Sequence, residues 1–168
     1  MQLREKDAAA KEILRLAREL RRILPAPVKL IVNDRADLAI AAGADGVHVG
    51  QDDLPAESAR NIIGHNRLLG LSTHNPEQIK DADRTSADYI AIGPVFATTS
   101  KANPDAIVGL EGVRMARSLT SKPLVAIGGI TLDNCHEVIT AGADAVAVIG
   151  DLLTDPRKRT ADFLLKMR

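Results

Sequence analysis

The chain has 168 residues, 45% of them hydrophobic, with 22 Lys and Arg set against 22 Asp and Glu; this is one domain's worth of material without the long-range positive field on which non-specific nucleic-acid or anionic-membrane binding relies. Its aromatics, Tyr89, Phe96 and Phe163, are too few for base-stacking platforms, and Cys135, alone, can form neither an intrachain disulfide nor a multi-cysteine zinc site, which points to a reducing cytoplasm. No apolar run approaches the roughly 18 residues of a membrane span, and the charged start Met1-Gln2-Leu3-Arg4-Glu5-Lys6 has no signal-peptide core, so a soluble, unexported protein is expected.

In chain order, short apolar runs predict strands over residues 1–5, 28–32, 46–49, 68–71, 89–92, 124–127 and 145–149. Helical spacing fills the intervals, most clearly over residues 7–24, where Ile13, Leu16, Ala17 and Leu20 share one face and charged residues cover the other. Asp53 before Leu54-Pro55, Asn75 before Pro76 and Thr131 before Leu132 are expected caps or first turns. Ala42-Gly43-Ala44-Asp45-Gly46-Val47 is closely repeated as Ala141-Gly142-Ala143-Asp144-Ala145-Val146, with Thr85-Ser86-Ala87-Asp88-Tyr89-Ile90 as a degenerate third copy. Each copy stops a helix and feeds an apolar strand. Alternating strands and helices imply parallel pairing covered on both faces. The expected fold is a single α/β domain over residues 1–168, a (β/α)8 TIM-barrel type in which seven βα units are readable; either the sequence starts late or the first unit is absent. The edges that an absent unit would leave open invite a homo-oligomer or strand exchange.

With period 2, Gln2, Arg4 and Lys6 point to one side of the first strand, a row suited to a multiply charged oxyanion; the plain alternative is a frayed terminus. Asn33-Asp34-Arg35 and Gly50-Gln51-Asp52-Asp53 end the next two strands. Carboxylates at neighbouring strand ends suit a Mg²⁺ bridging a diphosphate, and Asp34 and Asp53 are the candidate metal ligands unless they are helix caps. Ser72 is read as a binding hydroxyl, since no base or oxyanion site for a nucleophile is identifiable. His74 is either titratable or structural, and His48 is assigned to packing or hydrogen bonding. The irregular stretch from Gly93 to Gly109, with Thr98, Ser100 and Lys101, is a candidate lid or a solvated loop. Gly128-Gly129-Ile130-Thr131 and Ile149-Gly150 would let backbone N–H groups approach a phosphate at a helix amino terminus.

Taken together, Gln2-Leu3-Arg4-Glu5-Lys6, Asn33-Asp34-Arg35, Gly50-Gln51-Asp52-Asp53, Leu71-Ser72-Thr73-His74, Gly93-Pro94-Val95-Phe96 with Thr98-Thr99-Ser100-Lys101, and Ala126-Ile127-Gly128-Gly129-Ile130 resemble the thiamine-phosphate synthase family, in order and over nearly the whole chain. The resemblance implies a barrel enzyme that couples 4-amino-2-methyl-5-pyrimidinylmethyl diphosphate to 4-methyl-5-(2-phosphoethyl)thiazole with release of diphosphate. The implied route is dissociative: diphosphate leaves, a pyrimidine-stabilised cation forms, and the thiazole nitrogen attacks it. By the same resemblance Gln2, Arg4, Lys6 and Asn33 contact the diphosphate or pyrimidine, and Asp34 and Asp53 hold Mg²⁺. Ser72 and Lys101 meet the leaving diphosphate, with Lys6, Ser72 and Lys101 as the catalytic set. Thr98 and Ser100 approach the thiazole phosphate, to which Gly129, Ile149 and Gly150 offer backbone donors.

Two departures stand out. The family's first strand and helix are not found before Gln2, and Ile149-Gly150-Asp151 replaces a more usual Ser followed by Ala, trading a hydroxyl for an acidic side chain near an anion site. A thiazole tautomerase of the same fold, with His74 as its acid or base, and a non-catalytic barrel that binds phosphates or a partner are the rival readings.

Overall fold

The computed structural model describes residues 1–98 and 105–167. They form two compact units, the first made of Met1–Ser72 with Thr85–Asp88 and the second of Thr73–Arg84 with Tyr89–Arg168.

In the first unit, β1 (Gln2–Leu3), β2 (Ile31–Asn33), β3 (Gly46–Val49) and β4 (Leu68–Thr73, its last residue in the second unit) alternate with α1 (Ala10–Ile23), α2 (Ala36–Ala41) and α3 (Ala56–Ile63). The strands pair in parallel in sequence order, with Leu3 opposite Val32, Val32 opposite Val47 and Val47 opposite Leu69. Val32, Val47 and Leu69 are fully buried, as expected of strands covered on both faces. Helix α1 buries Ile13 and Ala17 and keeps Arg15 outside, paired with Glu12 and Glu19 one turn away on either side.

In the second unit, α4 (Pro76–Asp83), β5 (Tyr89–Ile92), α5 (Gly109–Leu119), β6 (Leu124–Ile127), α6 (Cys135–Thr140) and β7 (Ala145–Ala147) lead to a 3₁₀ turn (Gly150–Leu152) and α7 (Pro156–Lys166). Strands β5, β6 and β7 are again parallel. Asn75 caps α4 by accepting the Gln78 N–H at 2.9 Å, and Asp155 caps α7 by accepting the Lys158 N–H at 3.1 Å. Strand–helix alternation with parallel pairing is the expected α/β class of the TIM-barrel type. Among the described residues no helix is long and apolar enough to cross a membrane.

Several expected boundaries move. Strand β1 is two residues long, because its ladder with β2 has two rungs; Arg4 and Lys6 lie beyond it, and the alternation of Gln2, Arg4 and Lys6 along one strand does not hold. Strand β2 starts at Ile31, after a turn in which the Val28 N–H donates to the Pro25 carbonyl. Strand β7 ends at Ala147, since Ile149 leads into the 3₁₀ turn, where its carbonyl accepts the Leu152 N–H.

The internal repeat is a structural clamp. Asp45, Asp88 and Asp144 each accept a backbone N–H, from Leu30, Leu69 and Leu124 at 2.8, 2.7 and 2.7 Å, and each returns its own N–H to the carbonyl of the same leucine. An arginine from the last turns of α1, α3 or α5 completes each clamp: Arg21 on Asp45, Arg60 on Asp88 and Arg117 on Asp144. Burial pushes the Asp45 carboxyl up, but the Leu30 N–H and the charges of Lys29 and Arg21 more than offset it and hold the group below its usual range.

Candidate active site

The first unit gathers one cluster at the ends of its strands. Directly after β2, Asp34 takes φ 62°, and among the described residues it is the one non-glycine in the left-handed region. Its N–H donates to the His48 carbonyl at 2.7 Å, and the Arg35 N–H donates back to the Asn33 carbonyl at 2.7 Å. This tight turn leaves the Asp34 carboxyl free of helix α2, whose N-cap is Arg35 with no side-chain bond. Asp53 closes a different turn: its Oδ2 accepts the Gly50 N–H at 2.7 Å, while the N-cap of α3 is Pro55. Neither aspartate is a helix cap, which removes the plain alternative for both.

The two carboxyls instead adjoin each other, and Lys6 Nζ stands 3.3 Å from Asp34 Oδ2. Burial raises the Asp34 pKa, the adjoining Asp53 raises it further, and Lys6 opposes both. Two carboxylates held together after a strained turn favour a cation between them. Among the described residues no group of three or more His, Cys, Asp and Glu is arranged to hold a metal. The donor set fits Mg²⁺, which takes one or two carboxylates and completes its shell with phosphate oxygens and water.

Ser72, near the end of β4, is held from two sides. His48 Nε2 lies 2.8 Å from Ser72 Oγ, and the Gln51 side chain donates to the Ser72 carbonyl at 2.6 Å. The sequence identified no base for Ser72, and the structure places an imidazole there. Burial drops the His48 pKa to about 4 against a smaller upward pull from Asp53, so the ring is neutral and weakly basic near pH 7. A base that weak does little to activate a hydroxyl, and Ser72 remains a binding group. The alternation of the buried Val47 and Val49 with His48, which pairs in register with Gly70, is the sequence signal that could have placed the ring on the face opposite the valines. Asn33 pairs in register with His48 as the last residue of β2. Gln2 and Arg4 are exposed and, among the described residues, make no hydrogen bond or ion pair with the aspartates.

The second unit gathers a cluster of its own residues. The Val95 and Phe96 N–H groups donate to the carbonyls of Ile127 and Gly128 at 2.8 and 3.1 Å, so the segment after β5 runs along the end of β6. Gly129, at φ +63°, faces Phe96 and Ala97 so closely that a Cβ would collide with the Ala97 carbonyl. Thr98 is the next residue. The Asn134 amide braces the same loop, accepting the Thr131 N–H at 2.8 Å and donating to the Gly129 carbonyl at 3.2 Å. Asp151 ties it to the turn after β7, accepting the Leu132 N–H at 2.8 Å. Thr98, Gly129 and the Ile149–Gly150 pair therefore stand on three segments, the one carrying Gly129 bonded to each of the other two. Residues 131–134 form a turn ahead of the six-residue α6, so Thr131 does not cap that helix and the amides of Gly129 belong to a loop, not to a helix amino terminus.

His74 has both ring nitrogens occupied, Nδ1 against the Gly93 carbonyl and Nε2 3.4 Å from Asp105 Oδ2. Ser100 and Lys101 lie outside the described residues.

A sequence profile described as thiamine monophosphate synthase matches residues 1–152. The thiamine-phosphate synthase of Koribacter versatilis is 63% identical over 164 residues, covering 98% of this chain and 78% of the relative. That of Chloroflexus aurantiacus is 51% identical over 150 residues, covering 89% of this chain and 69% of the relative. Among solved structures, a thiamine phosphate pyrophosphorylase from Pyrococcus furiosus superposes with a TM-score of 0.89 at 36% identity, covering 99% of this chain and 81% of that one.

Proposed function

The chain belongs to the thiamine monophosphate synthase family, and on that premise we propose how its residues divide the work of joining the aminopyrimidine methyl diphosphate to the phosphorylated thiazole. The activity is that of a thiamine-phosphate synthase, a transferase that releases diphosphate. The contact of Asp34 with Asp53, with Lys6 at 3.3 Å, carries the assignment of roles.

Asp34 and Asp53 would hold Mg²⁺, which when bound neutralises charge on the diphosphate. Lys6 supplies a point charge to the same group, with Arg4, Gln2 and Asn33 contacting diphosphate or pyrimidine. Ser72, oriented by neutral His48, donates its hydroxyl to the leaving diphosphate, and Lys101 meets the same group. Thr98 and Ser100 receive the thiazole phosphate, with backbone donors from Gly129, Ile149 and Gly150. Dissociative departure of diphosphate needs no strong base. The chain's task is to stabilise charge on the leaving group and to keep the nucleophile close. Such a protein works in the cytoplasm on small phosphorylated substrates.

A tautomerase would need a free acid or base, and both nitrogens of His74 are engaged. The test is to supply both substrates with Mg²⁺ and measure released diphosphate. Stoichiometric release with thiamine phosphate supports the assignment, and conversion of the thiazole alone, without diphosphate release, contradicts it.

A further inference from the structure

We infer that Asp151 is a positioning residue for the thiazole phosphate, acting by bolting the loop after β6 to the turn after β7. The inference rests on the reading of Gly129 and Gly150 as phosphate donors. An acidic side chain next to Gly150 would repel an anion if its charge were left free. Here each carboxylate oxygen is engaged: Oδ2 accepts the Leu132 N–H at 2.8 Å, and Oδ1 lies 3.3 Å from Arg159 on α7. The side chain is 17% exposed, so the Leu132 bond is partly shielded from competing water.

The rest of the loop is already confined. Asn134 bridges the Gly129 carbonyl and the Thr131 N–H, and the Phe96–Ala97 backbone blocks Gly129 on its other side. Asp151 supplies a side-chain link from this confined loop to the turn that carries Gly150. Backbone donors grip a phosphate only when their spacing is held before the ligand arrives, because ordering them on binding costs affinity. Where a hydroxyl at position 150 would add a direct contact, this chain has Gly150 and, beside it, a brace that fixes the backbone instead.

The test compares Asp151→Ala with Asp151→Asn, whose amide oxygen can still accept the Leu132 N–H. For each variant and the parent protein, KM is measured for both substrates, kcat at saturation, and thiazole-phosphate binding by calorimetry. The expected result is a KM for the thiazole phosphate raised about tenfold or more in Asp151→Ala, kcat within about twofold, the pyrimidine KM unchanged, and recovery to within about threefold in Asp151→Asn. A folded Asp151→Ala with an unchanged thiazole KM, or an equal rise in both KM values, overturns the inference. If the alanine variant does not fold, Asp151→Ser, too short to span to Leu132, takes its place with the same expectations. If the parent protein itself fails to bind thiazole phosphate, the phosphate-site reading falls and the inference with it; normal binding by the parent with no change in the variant removes Asp151 alone.

Discussion

Lys6 Nζ reaches to 3.3 Å from Asp34 Oδ2 from a position past the end of β1, while Asp34 sits directly past the end of β2. The pairing joins two chain segments at their strand ends, where parallel α/β folds place their chemistry. Lys6→Ala should lower kcat by about 10²–10³, or roughly 2.7–4 kcal/mol, the size of losing one preorganised electrostatic donor. Steady-state kinetics checks this, and unchanged turnover removes Lys6 from the mechanism. The same loss is expected of Lys101→Ala.

His48 should make stability depend on pH. Its folded pKa, about 4, lies below the ordinary 6.5 because burial disfavours the charged ring. The unfolded chain therefore binds the proton first. The contribution is complete above about pH 6.5 and is lost as pH falls toward 4, amounting to about 3 kcal/mol. Asp34 runs the other way: with its folded pKa raised, the native state takes up that proton before the unfolded chain and regains stability as pH falls through it. Denaturant melts from pH 7 to 4 on the parent protein and His48→Gln should show the steeper loss in the parent. Parallel curves would mean that His48 is not buried as a neutral ring.

The clamp at Arg60 and Asp88 should matter for folding and not for catalysis. Arg60 is 4% exposed and also donates to the carbonyls of Gly64, Arg67 and Ser86. Asp88→Ala strips the charge partner from a buried guanidinium, for which about 3 kcal/mol is expected, the lower end of the range because Asp88 itself is partly exposed. Asp45→Ala should cost less, since Arg21 is more open to water. Urea unfolding gives both values, and a larger loss at Asp45 than at Asp88 contradicts the account.

Gly129 and Gly150 should respond differently to a methyl group. Gly129→Ala combines φ +63°, a strain of about 1–2 kcal/mol, with a collision at Ala97, so both melting temperature and affinity for the thiazole phosphate should fall. Gly150 has open space around its Cβ direction, and Gly150→Ala should stay within about 0.5 kcal/mol of the parent. Equal stabilities for the two variants would show that the Phe96–Ala97 segment yields to the methyl group.

The periodic parts of the fold were readable from residues alone. The 3.6-residue spacing of Ile13 and Ala17 marked α1, and the apolar runs at Gly46–Val49, Tyr89–Ile92 and Leu124–Ile127 marked β3, β5 and β6 at their observed ends. The pairing of Asp34 with Asp53 was legible because two acidic residues followed neighbouring strands. Long-range hydrogen bonds were not. Nothing local to Asp88 says that its carboxylate accepts an N–H from Leu69 or meets Arg60, and nothing local to His48 says that its ring meets the Ser72 hydroxyl on the next strand. The length of β1 was misread for a related reason: how far a strand runs depends on the rungs its neighbour offers, and β2 offers two.

The most direct test is calorimetric binding of inorganic diphosphate in the presence and absence of Mg²⁺ to the parent protein, Asp34→Asn and Asp53→Asn. If the two aspartates hold the metal on the diphosphate, the parent binds far more tightly with Mg²⁺ than without, and each variant loses at least about tenfold of that gain, or roughly 1.4 kcal/mol. Equal Mg²⁺-dependent affinity in all three proteins would contradict the account.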